Sequence, residues 1–326
     1  MPANLTPQYR AAEDRYRRAQ SREEKIAALE EMLAVIPKHK GTEHLQGDLK
    51  KRLSKLRQAG ETKAAAKTTD PFQITGEGAG QVALLGYPNT GKSALVGALT
   101  RARVTVAEYP FATPLPVTGM MSYEDIKIQL VDLPPVMEGE MPKGMAGTLR
   151  QADLIAVVVD GGNDDCLEQL EGCREVLNRR SILASPGEEA GPQVKRADDL
   201  LVVITKCDLT GADKRRELLR ELFPSGWEMI AVSIKQPESL ERLRGCIFRR
   251  LRILRVYTKI PGRAPDMSKP FVLKKGETVL ELAEQVHRDF PGQLKQAKVW
   301  GSAKFPGQPV EKEYPLADGD IVELHV

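Results

Sequence analysis

An eight-residue glycine-rich segment, Gly86-Tyr-Pro-Asn-Thr-Gly-Lys-Ser93, leaves this chain few possible architectures. It follows the apolar run Val82–Leu85 and precedes Ser93–Leu99, which has a helical composition. The GxxxxGKS spacing between a strand and a helix is typical of a phosphate-binding loop. The sequence therefore predicts an α/β nucleotide-binding domain in which this loop joins a strand to a helix.

The chemistry of the loop follows from its residue types. Glycines let backbone N–H groups turn towards phosphate oxygens, and the start of the following helix adds positive potential. Lys92 is expected to reach the β- and γ-phosphates, and the Ser93 hydroxyl to bind Mg²⁺. The residues predicted to surround the phosphates are Gly86, Tyr87, Pro88, Asn89, Thr90, Gly91, Lys92, Ser93 and Ala94.

A second motif predicts the base. Thr205-Lys-Cys-Asp208 directly follows the apolar run Leu200–Ile204 and matches the [N/T]KxD pattern. The Asp208 carboxylate can accept hydrogen bonds from the N1–H and 2-amino groups of guanine, whereas ATP would leave this charged acceptor unpaired. The aliphatic stem of Lys206 can lie along the base. The predicted ligands are GTP and GDP, although Thr205 stands where asparagine is commoner and is expected to loosen the bracing of the site.

A third segment, Ser233-Ile-Lys235, follows the strand-like run Met229–Val232. It is similar to the SAK loop that contacts the base in guanine-nucleotide sites. The contact in that loop comes from a backbone N–H that meets the guanine O6, so Ile234 in place of alanine is compatible with it.

Strand-like and helical segments alternate over residues 81–254, which predicts a mostly parallel sheet with helices on both faces. The segment Ser181–Ala197 interrupts this pattern with Pro, Gly and charged residues and is predicted to be a surface loop. The predicted strands are Val82–Leu85, Lys127–Val131, Leu154–Val159, Leu200–Ile204 and Met229–Val232.

The flanking regions have different patterns. Residues 1–60 are rich in helix formers, and Pro37–Gly41 divides two apolar stripes, which predicts a helical hairpin. Residues 61–80 have linker composition. Residues 255–326 combine short strands, one helix at about Val279–Arg288 and a final strand Asp320–Val326, which predicts a small α+β module. The two stripes are Ile26, Leu29, Leu33 and Ile36, and Leu45, Leu49, Leu53 and Leu56.

Composition excludes several classes of protein. The chain is 41% hydrophobic and 29% charged, as in ordinary globular proteins. No apolar run approaches the ~20 residues that a membrane-spanning helix needs, and the N-terminus lacks the apolar segment of a secretion signal. The four cysteines form no CxxC pair, so neither a zinc site nor a disulfide framework is indicated. We therefore expect a cytoplasmic protein without membrane contact.

Basic residues are unevenly distributed, although the net charge is only +3. Residues 1–70 carry 15 Lys and Arg against 10 Asp and Glu, and residues 235–263 carry 9 against 2. Such segments are typical of proteins that bind polyanions, and equally of solvated helix faces.

Several passages together resemble the Obg/developmentally regulated GTP-binding (DRG) family of GTPases. They are Gly86–Ser93, Glu108-Tyr-Pro-Phe-Ala-Thr-Pro114, Asp132-Leu-Pro and Glu138-Gly139. Residues 255–326 are similar to the TGS domain of DRG proteins, through Arg255-Val-Tyr-Thr-Lys, Val299-Trp-Gly-Ser302 and Asp318-Gly-Asp-Ile-Val322. This resemblance implies a ubiquitin-like β-grasp fold for the C-terminal module. It also implies a family-like helix-turn-helix at Lys38–Gln58.

The resemblance further implies roles for individual residues. Thr113 matches the switch I threonine that closes on Mg²⁺ and the γ-phosphate, and Asp132 matches the switch II aspartate that holds Mg²⁺ through water. With Ser93 they make up the implied metal site. Asn89 matches an asparagine that helps seat K⁺ in potassium-activated members, or alternatively only shapes the loop. Lys92, Thr113 and Asn89 are the implied catalytic residues.

One departure from the family pattern concerns switch II. The expected DxxG reads Asp132-Leu-Pro-Pro135, and Val136 stands where Ras-like proteins have a water-orienting glutamine. Proline has no N–H to offer the γ-phosphate, and a charge-assisted hydrogen bond is worth roughly 1.5–3 kcal/mol. We therefore expect weakened sensing of the γ-phosphate and weakened hydrolysis.

Two functions remain open from the sequence. The first is a slow Mg²⁺-dependent GTPase acting as a regulatory switch on ribosomes, rRNA or tRNA. The second is a GTP-binding scaffold with little hydrolysis that recruits a protein partner, which Pro135 favours. The guanine motif argues against a metabolic kinase.

Overall fold

The computed structural model describes residues 7–19, 22–36, 46–53, 71–100, 115–137, 140–184, 191, 194–223 and 226–326. The chain divides into two compact units, residues 1–70 and 71–326. The predictions for Thr113, Glu108–Pro114 and Glu138-Gly139 fall outside the described residues, as do residues 61–70 and most of Lys38–Gln58.

The described residues of the first unit form three helical segments: α1 (Pro7–Arg18), α2 (Arg22–Val35) and α3 (residues 46–53). The predicted apolar stripes contribute Leu29, Ile36 and Leu49 to its buried core. The break between α1 and α2 was not predicted. It lets Tyr9 and Ala12 of α1 pack into the same core, whereas a continuous helix would carry them away from it.

The second unit begins with a six-stranded sheet of order β2-β3-β1-β4-β5-β6. Neighbouring strands are parallel except β2 and β3, so the mostly parallel sheet is confirmed. The edge strand β2 was not predicted, because its sequence VTGMMSY has no strong apolar run. The strands are β1 (Gln81–Leu85), β2 (Val117–Tyr123), β3 (Ile126–Asp132), β4 (Leu154–Asp160), β5 (Leu200–Thr205) and β6 (Glu228–Ala231).

Helices cover both faces of this sheet, as predicted. Helices α4 and α8 contribute to one apolar layer, and α5, α6 and α7 contribute to the other. Buried strands between two helical layers leave the carboxyl ends of the strands as the edge where loops can meet a ligand. The helices are α4 (Lys92–Thr100), α5 (Met145–Gln151), α6 (Cys166–Arg179), α7 (Ala212–Leu222) and α8 (Pro237–Leu251), with a 3₁₀ turn at Ala197–Asp199.

A second, five-stranded sheet of order β10-β9-β11-β7-β8 follows. Its first and last strands, β7 and β11, are parallel neighbours in the centre, and α9 packs against it, which is the ubiquitin-like arrangement. Strand β7 begins at Ile253, slightly before the predicted domain boundary at 254/255. The elements are β7 (Ile253–Thr258), β8 (Asp266–Lys274), α9 (Val279–Val286), α10 (Phe290–Gln293), β9 (Gln296–Trp300), β10 (Gln308–Val310) and β11 (Ile321–His325).

Residues 71–80 are part of the nucleotide-binding domain, which corrects their assignment to a linker. Phe72 is buried in the core, and its carbonyl accepts a hydrogen bond from Thr148 Oγ1 at 2.5 Å. Gly78 forms a β-bridge with Ile128 of β3. The composition of the segment hid this packing, because only Phe72, Ile74 and Ala79 contribute side chains to the core and the other contacts are largely backbone hydrogen bonds.

The basic segment 235–263 is largely neutralised within the protein. Seven of its nine basic residues form ion pairs with carboxylates, which removes most of the excess charge expected to attract a polyanion. The paired residues are Lys235, Arg244, Arg249, Arg250, Arg252, Arg255 and Lys259.

In the part of the chain that the structure describes, no helix is long and apolar enough to cross a membrane.

Arg255 joins the two sheets of this unit. Its guanidinium binds Asp318 through Nε (3.0 Å) and Nη2 (2.7 Å), and its Nη1 reaches Glu124 and Asp125 in the turn between β2 and β3. These carboxylates, Asp318 first, raise the pKa of Arg255. The hydroxyl of Tyr257 donates to the same Asp125. This bond is the main reason why the pKa of Tyr257 is raised, to about 12. We name these five residues the interdomain clamp.

Replacing Arg255 with methionine is expected to destabilise the protein by about 2–3 kcal/mol, because it leaves three carboxylates facing each other around a side chain that is only 13% exposed. Arg249→Met is the matched control, since that side chain is 68% exposed and pairs with Glu228; it is expected to cost under about 0.5 kcal/mol. Urea unfolding followed by circular dichroism measures both. Equal losses in the two variants would contradict a special role for the clamp.

Candidate nucleotide-binding site

The predicted phosphate loop connects β1 to α4, as the sequence indicated. Gly86 lies so close to β4 that a Cβ there would come within 2.4 Å of the Val158 carbonyl oxygen. Asn89 (φ 62°) and Gly91 (φ 89°) adopt the left-handed region, which turns the loop sharply. Thr90 is buried, and its hydroxyl donates to the Tyr87 carbonyl at 3.0 Å. Pro88, Asn89, Ser93 and Ala94 are exposed along this loop.

Lys92 lies inside the curve of the loop. Its Nζ donates to the carbonyl oxygens of Gly86 (3.0 Å) and Tyr87 (2.9 Å). Burial lowers the pKa of this lysine, partly offset by Asp132. A partly desolvated ammonium held at the centre of a backbone loop is a strong site for an anion.

Ser93 and Asp132 form a pair beside this lysine. The Ser93 hydroxyl donates to Asp132 Oδ2 at 2.5 Å, and Asp132 Oδ1 is buried without a hydrogen-bond partner among the described residues. Burial raises the pKa of Asp132. A hydroxyl beside a buried carboxylate with an unused oxygen fits Mg²⁺, a hard cation that prefers oxygen ligands.

The guanine motif begins at Thr205, the last residue of β5, and continues into the loop after it. Thr205 Oγ1 lies 2.6 Å from the Thr90 carbonyl and 3.0 Å from the Val159 carbonyl, so it bonds directly to the phosphate loop. The expected loosening of the site by threonine is therefore not seen, because the hydroxyl reaches the loop backbone itself. Lys206 Nζ makes a second link, to the Asn89 carbonyl at 3.0 Å.

Asp208 lies beside a cavity of about 210 Å³ that is next to the phosphate loop. Its Oδ1 accepts from the Ser233 hydroxyl at 2.7 Å, and its Oδ2 pairs with Lys235 Nζ at 2.9 Å. The bond from Lys235 is the main reason why the pKa of Asp208 is lowered. The structure thus brings the two predicted base-contacting segments together beside the phosphate loop. The cavity is lined by Gly91, Ala94, Thr205, Lys206, Asp208, Leu209, Val232, Ser233, Ile234 and Lys235.

The loop at Ser233 is held in place by α8. Ser239 Oγ accepts from the Ser233 N–H at 3.0 Å and lies 2.9 Å from the Ser233 carbonyl. The Lys235 N–H donates to Ser233 Oγ at 3.2 Å. The side chain of Ile234 is exposed beside the cavity, so it does not fill the space that a base would occupy.

The segment after Asp132 is tied to the sheet and the phosphate loop. The Leu133 N–H donates to the Leu84 carbonyl (3.4 Å), and the Val136 N–H donates to the Gly86 carbonyl (3.1 Å). Pro134 and Pro135 have no N–H. Residues 133–136 therefore contain no uncommitted backbone donor. Val136 is buried in the core, so no side chain at this position can orient a water molecule.

Asp160 is a member of the site that no motif identified. It ends β4, and its carboxylate accepts from the Gly162 N–H at 2.9 Å, which is the turn role expected of an aspartate there. It also pairs with Lys206. Only the parallel register of β4 and β5, which places Asp160 beside Thr205, brings these residues together.

Comparisons with known proteins agree with this geometry. The family model described as "50S ribosome-binding GTPase" matches residues 81–185, and the model of the TGS domain matches residues 254–326. The YchF GTPase of Schizosaccharomyces pombe has a similar fold, with a TM-score of 0.51, 13% identity, and coverage of 78% of this chain and 100% of that one. The fold and the site define a P-loop guanine-nucleotide-binding protein with a C-terminal TGS domain.

Two relatives define the family. Developmentally-regulated G-protein 3 of Arabidopsis thaliana is 31% identical over 356 residues, which cover 90% of this chain and 95% of the relative. An uncharacterized GTP-binding protein of Methanocaldococcus jannaschii is 29% identical over 346 residues, or 88% of each chain. The chain belongs to the DRG family of GTP-binding proteins, which confirms the resemblance found in the sequence.

Proposed function

We propose that this protein binds GTP and GDP through Asp208 and the phosphate loop, and hydrolyses GTP slowly with Mg²⁺. The observation that carries the proposal is the position of Asp208, beside a cavity that Gly91 and Ala94 of the phosphate loop also line. An ionised carboxylate there favours a base with two adjacent donors, which guanine has and adenine lacks.

The phosphate groups would displace the internal bonds of Lys92. Its ammonium now donates to two loop carbonyls and can exchange them for phosphate oxygens without leaving the loop. Ser93 and Asp132 would hold Mg²⁺, with Thr113 as a further predicted ligand. The ion would neutralise charge on the phosphate oxygens. Lys92, Thr113 and Asn89 remain the proposed catalytic residues.

The backbone after Asp132 supports slow turnover. A γ-phosphate near residues 133–136 would find no free N–H, because two residues are prolines and the other two N–H groups are committed. Switch II would therefore discriminate poorly between GTP and GDP.

A potassium ion near Asn89 is a further part of the proposal, and comparing GTP hydrolysis in K⁺ and Na⁺ tests it.

We propose a ribosome- or RNA-associated switch, supported by the similarity of residues 81–185 to a ribosome-binding GTPase family. The segment 235–263 offers little free charge for this role. In α3, by contrast, Lys50 and Lys51 are exposed beside Arg52. The alternative is a GTP-binding scaffold that recruits a protein regulator, which the committed backbone donors after Asp132 favour.

Asp208→Asn is expected to weaken GDP binding by on the order of 100-fold, because it removes charge from two hydrogen bonds to the base. The same variant should bind xanthosine diphosphate more tightly than the wild type does, since the amide can donate to the carbonyl that replaces the 2-amino group. Calorimetry with GDP, XDP and ADP measures both effects.

The matched control for this experiment is Asp213→Asn, which removes an exposed carboxylate from α7 without touching the cavity. It should leave all three affinities unchanged. Binding of ADP by the wild type as tightly as GDP would contradict the proposed site.

Pro135→Gly is expected to increase the ratio of GTP to GDP affinity by roughly 10- to 100-fold, because glycine restores one N–H donor to a charged phosphate. Single-turnover hydrolysis should rise in parallel. Pro309, at an exposed position of strand β10, provides the control: Pro309→Gly reports any general effect of losing a proline. An unchanged ratio in Pro135→Gly would show that this donor does not sense the γ-phosphate.

Ribosome pelleting separates the two candidate functions. A switch should pellet with ribosomes in GTP, and the bound fraction should fall steeply between 50 and 200 mM salt. Neutralising Lys50, Lys51 and Arg52 together should weaken this binding, and neutralising three exposed basic residues of the nucleotide-binding domain, Arg180, Lys214 and Arg220, is the matched control. Intact GTP binding without turnover or pelleting would select the scaffold.

A further inference from the structure

Asp160 is fixed from the side of β4 by two contacts. Its backbone N–H donates to Gln169 Oε1 of α6 at 2.9 Å, and its Oδ1 accepts from the Gly162 N–H at 2.9 Å. The side chain is only 11% exposed. A carboxylate held in this way presents its second oxygen, Oδ2, in one direction.

Oδ2 is paired with the ammonium of Lys206, and the same ammonium donates to the Asn89 carbonyl of the phosphate loop. Lys206 therefore connects the end of β4 to the loop that precedes α4. Its backbone has φ 55°, a conformation that a non-glycine residue holds only where its surroundings enforce it. Backbone bonds hold this conformation, because the Leu209 N–H donates to the Lys206 carbonyl at 3.1 Å and the Cys207 N–H donates to the Val232 carbonyl at 3.2 Å. Asp160 and Asn89 then fix the far end of the side chain.

We propose that Asp160 is a positioning residue for guanine nucleotides, acting through Lys206. By holding the ammonium against Asn89, it keeps the aliphatic stem of Lys206 along the cavity where the purine ring is bound. A lysine side chain loses rotamer freedom when it is fixed, and an ion pair formed before binding removes that cost from the binding step. The inference rests on the proposed function, because it takes the cavity to be the base site.

A purely structural role makes a different prediction. If Asp160 only shapes the turn at Gly162, asparagine should replace it well, since an amide oxygen accepts the same hydrogen bond. If Asp160 positions Lys206, the negative charge is needed. The contrast between Asn and Glu at this position therefore separates the two roles.

Asp160→Asn is expected to weaken GDP binding by about tenfold, because a charge-assisted contact to Lys206 becomes neutral. Asp160→Glu, which keeps the charge, should bind GDP more tightly than Asp160→Asn. Asp164→Asn is the matched control. Asp164 is an exposed carboxylate in the same loop as Asp160, but it pairs with Arg215 and not with Lys206. Calorimetry with GDP measures affinity, and thermal unfolding without nucleotide reports any loss of stability.

A double-mutant cycle tests whether Asp160 influences GDP affinity through Lys206. In a Lys206→Gln background, Asp160→Asn should change GDP affinity by less than about twofold, because residues that act as one unit are not additive. An equal loss in both backgrounds, or GDP binding by Asp160→Asn as tight as by the wild type, would overturn the inference while leaving the proposed function intact. A wild-type protein that does not bind GDP would overturn both.

Discussion

The hydrogen bond from the Thr205 hydroxyl to the Thr90 carbonyl holds the nucleotide site together. Thr205 is the last residue of β5 and Thr90 lies in the loop after β1, so the bond joins two residues that are 115 positions apart in the sequence. Without it, the base-contacting and phosphate-contacting segments would be separate loops at one edge of a sheet. With it, and with Lys206 bonded to Asn89, they form a single preorganised surface.

The buried charges around this surface explain why it is suited to an anion with a metal ion. Lys92 and Asp132 are both desolvated. Burial lowers the pKa of Lys92 and raises the pKa of Asp132, which favours the neutral form of each side chain. Such a pair gains most when charged ligands restore the interactions that water supplied. Asp132 Oδ1 shows this directly, because it lacks a hydrogen-bond partner within the described residues. Phosphate oxygens and Mg²⁺, the proposed ligands, would restore interactions to both groups.

Much of this arrangement could be predicted from the sequence, because the phosphate and guanine motifs combine fixed spacing with strand context. The strands that carry them, β1 and β5, are apolar runs with clear ends. The rest depends on tertiary contacts that leave no local signal. The pairing of Asp160 with Lys206 follows from strand register, and Phe72 is buried against core residues that lie far from it in the sequence. The strand β2 was missed because an edge strand needs only one partner and no apolar run.

The interdomain clamp has a mechanical consequence. Glu124 and Asp125 form the turn at one end of the β2–β3 hairpin, and β3 ends at Asp132, roughly 20 Å away at the usual rise of a strand. The hairpin therefore connects Asp132, the proposed Mg²⁺ ligand, with the carboxylates that hold Arg255 of the TGS domain. A change in the tilt of β3 would move both ends together, and the pairing of β3 with β1 from Gln129 to Asp132 resists such a change.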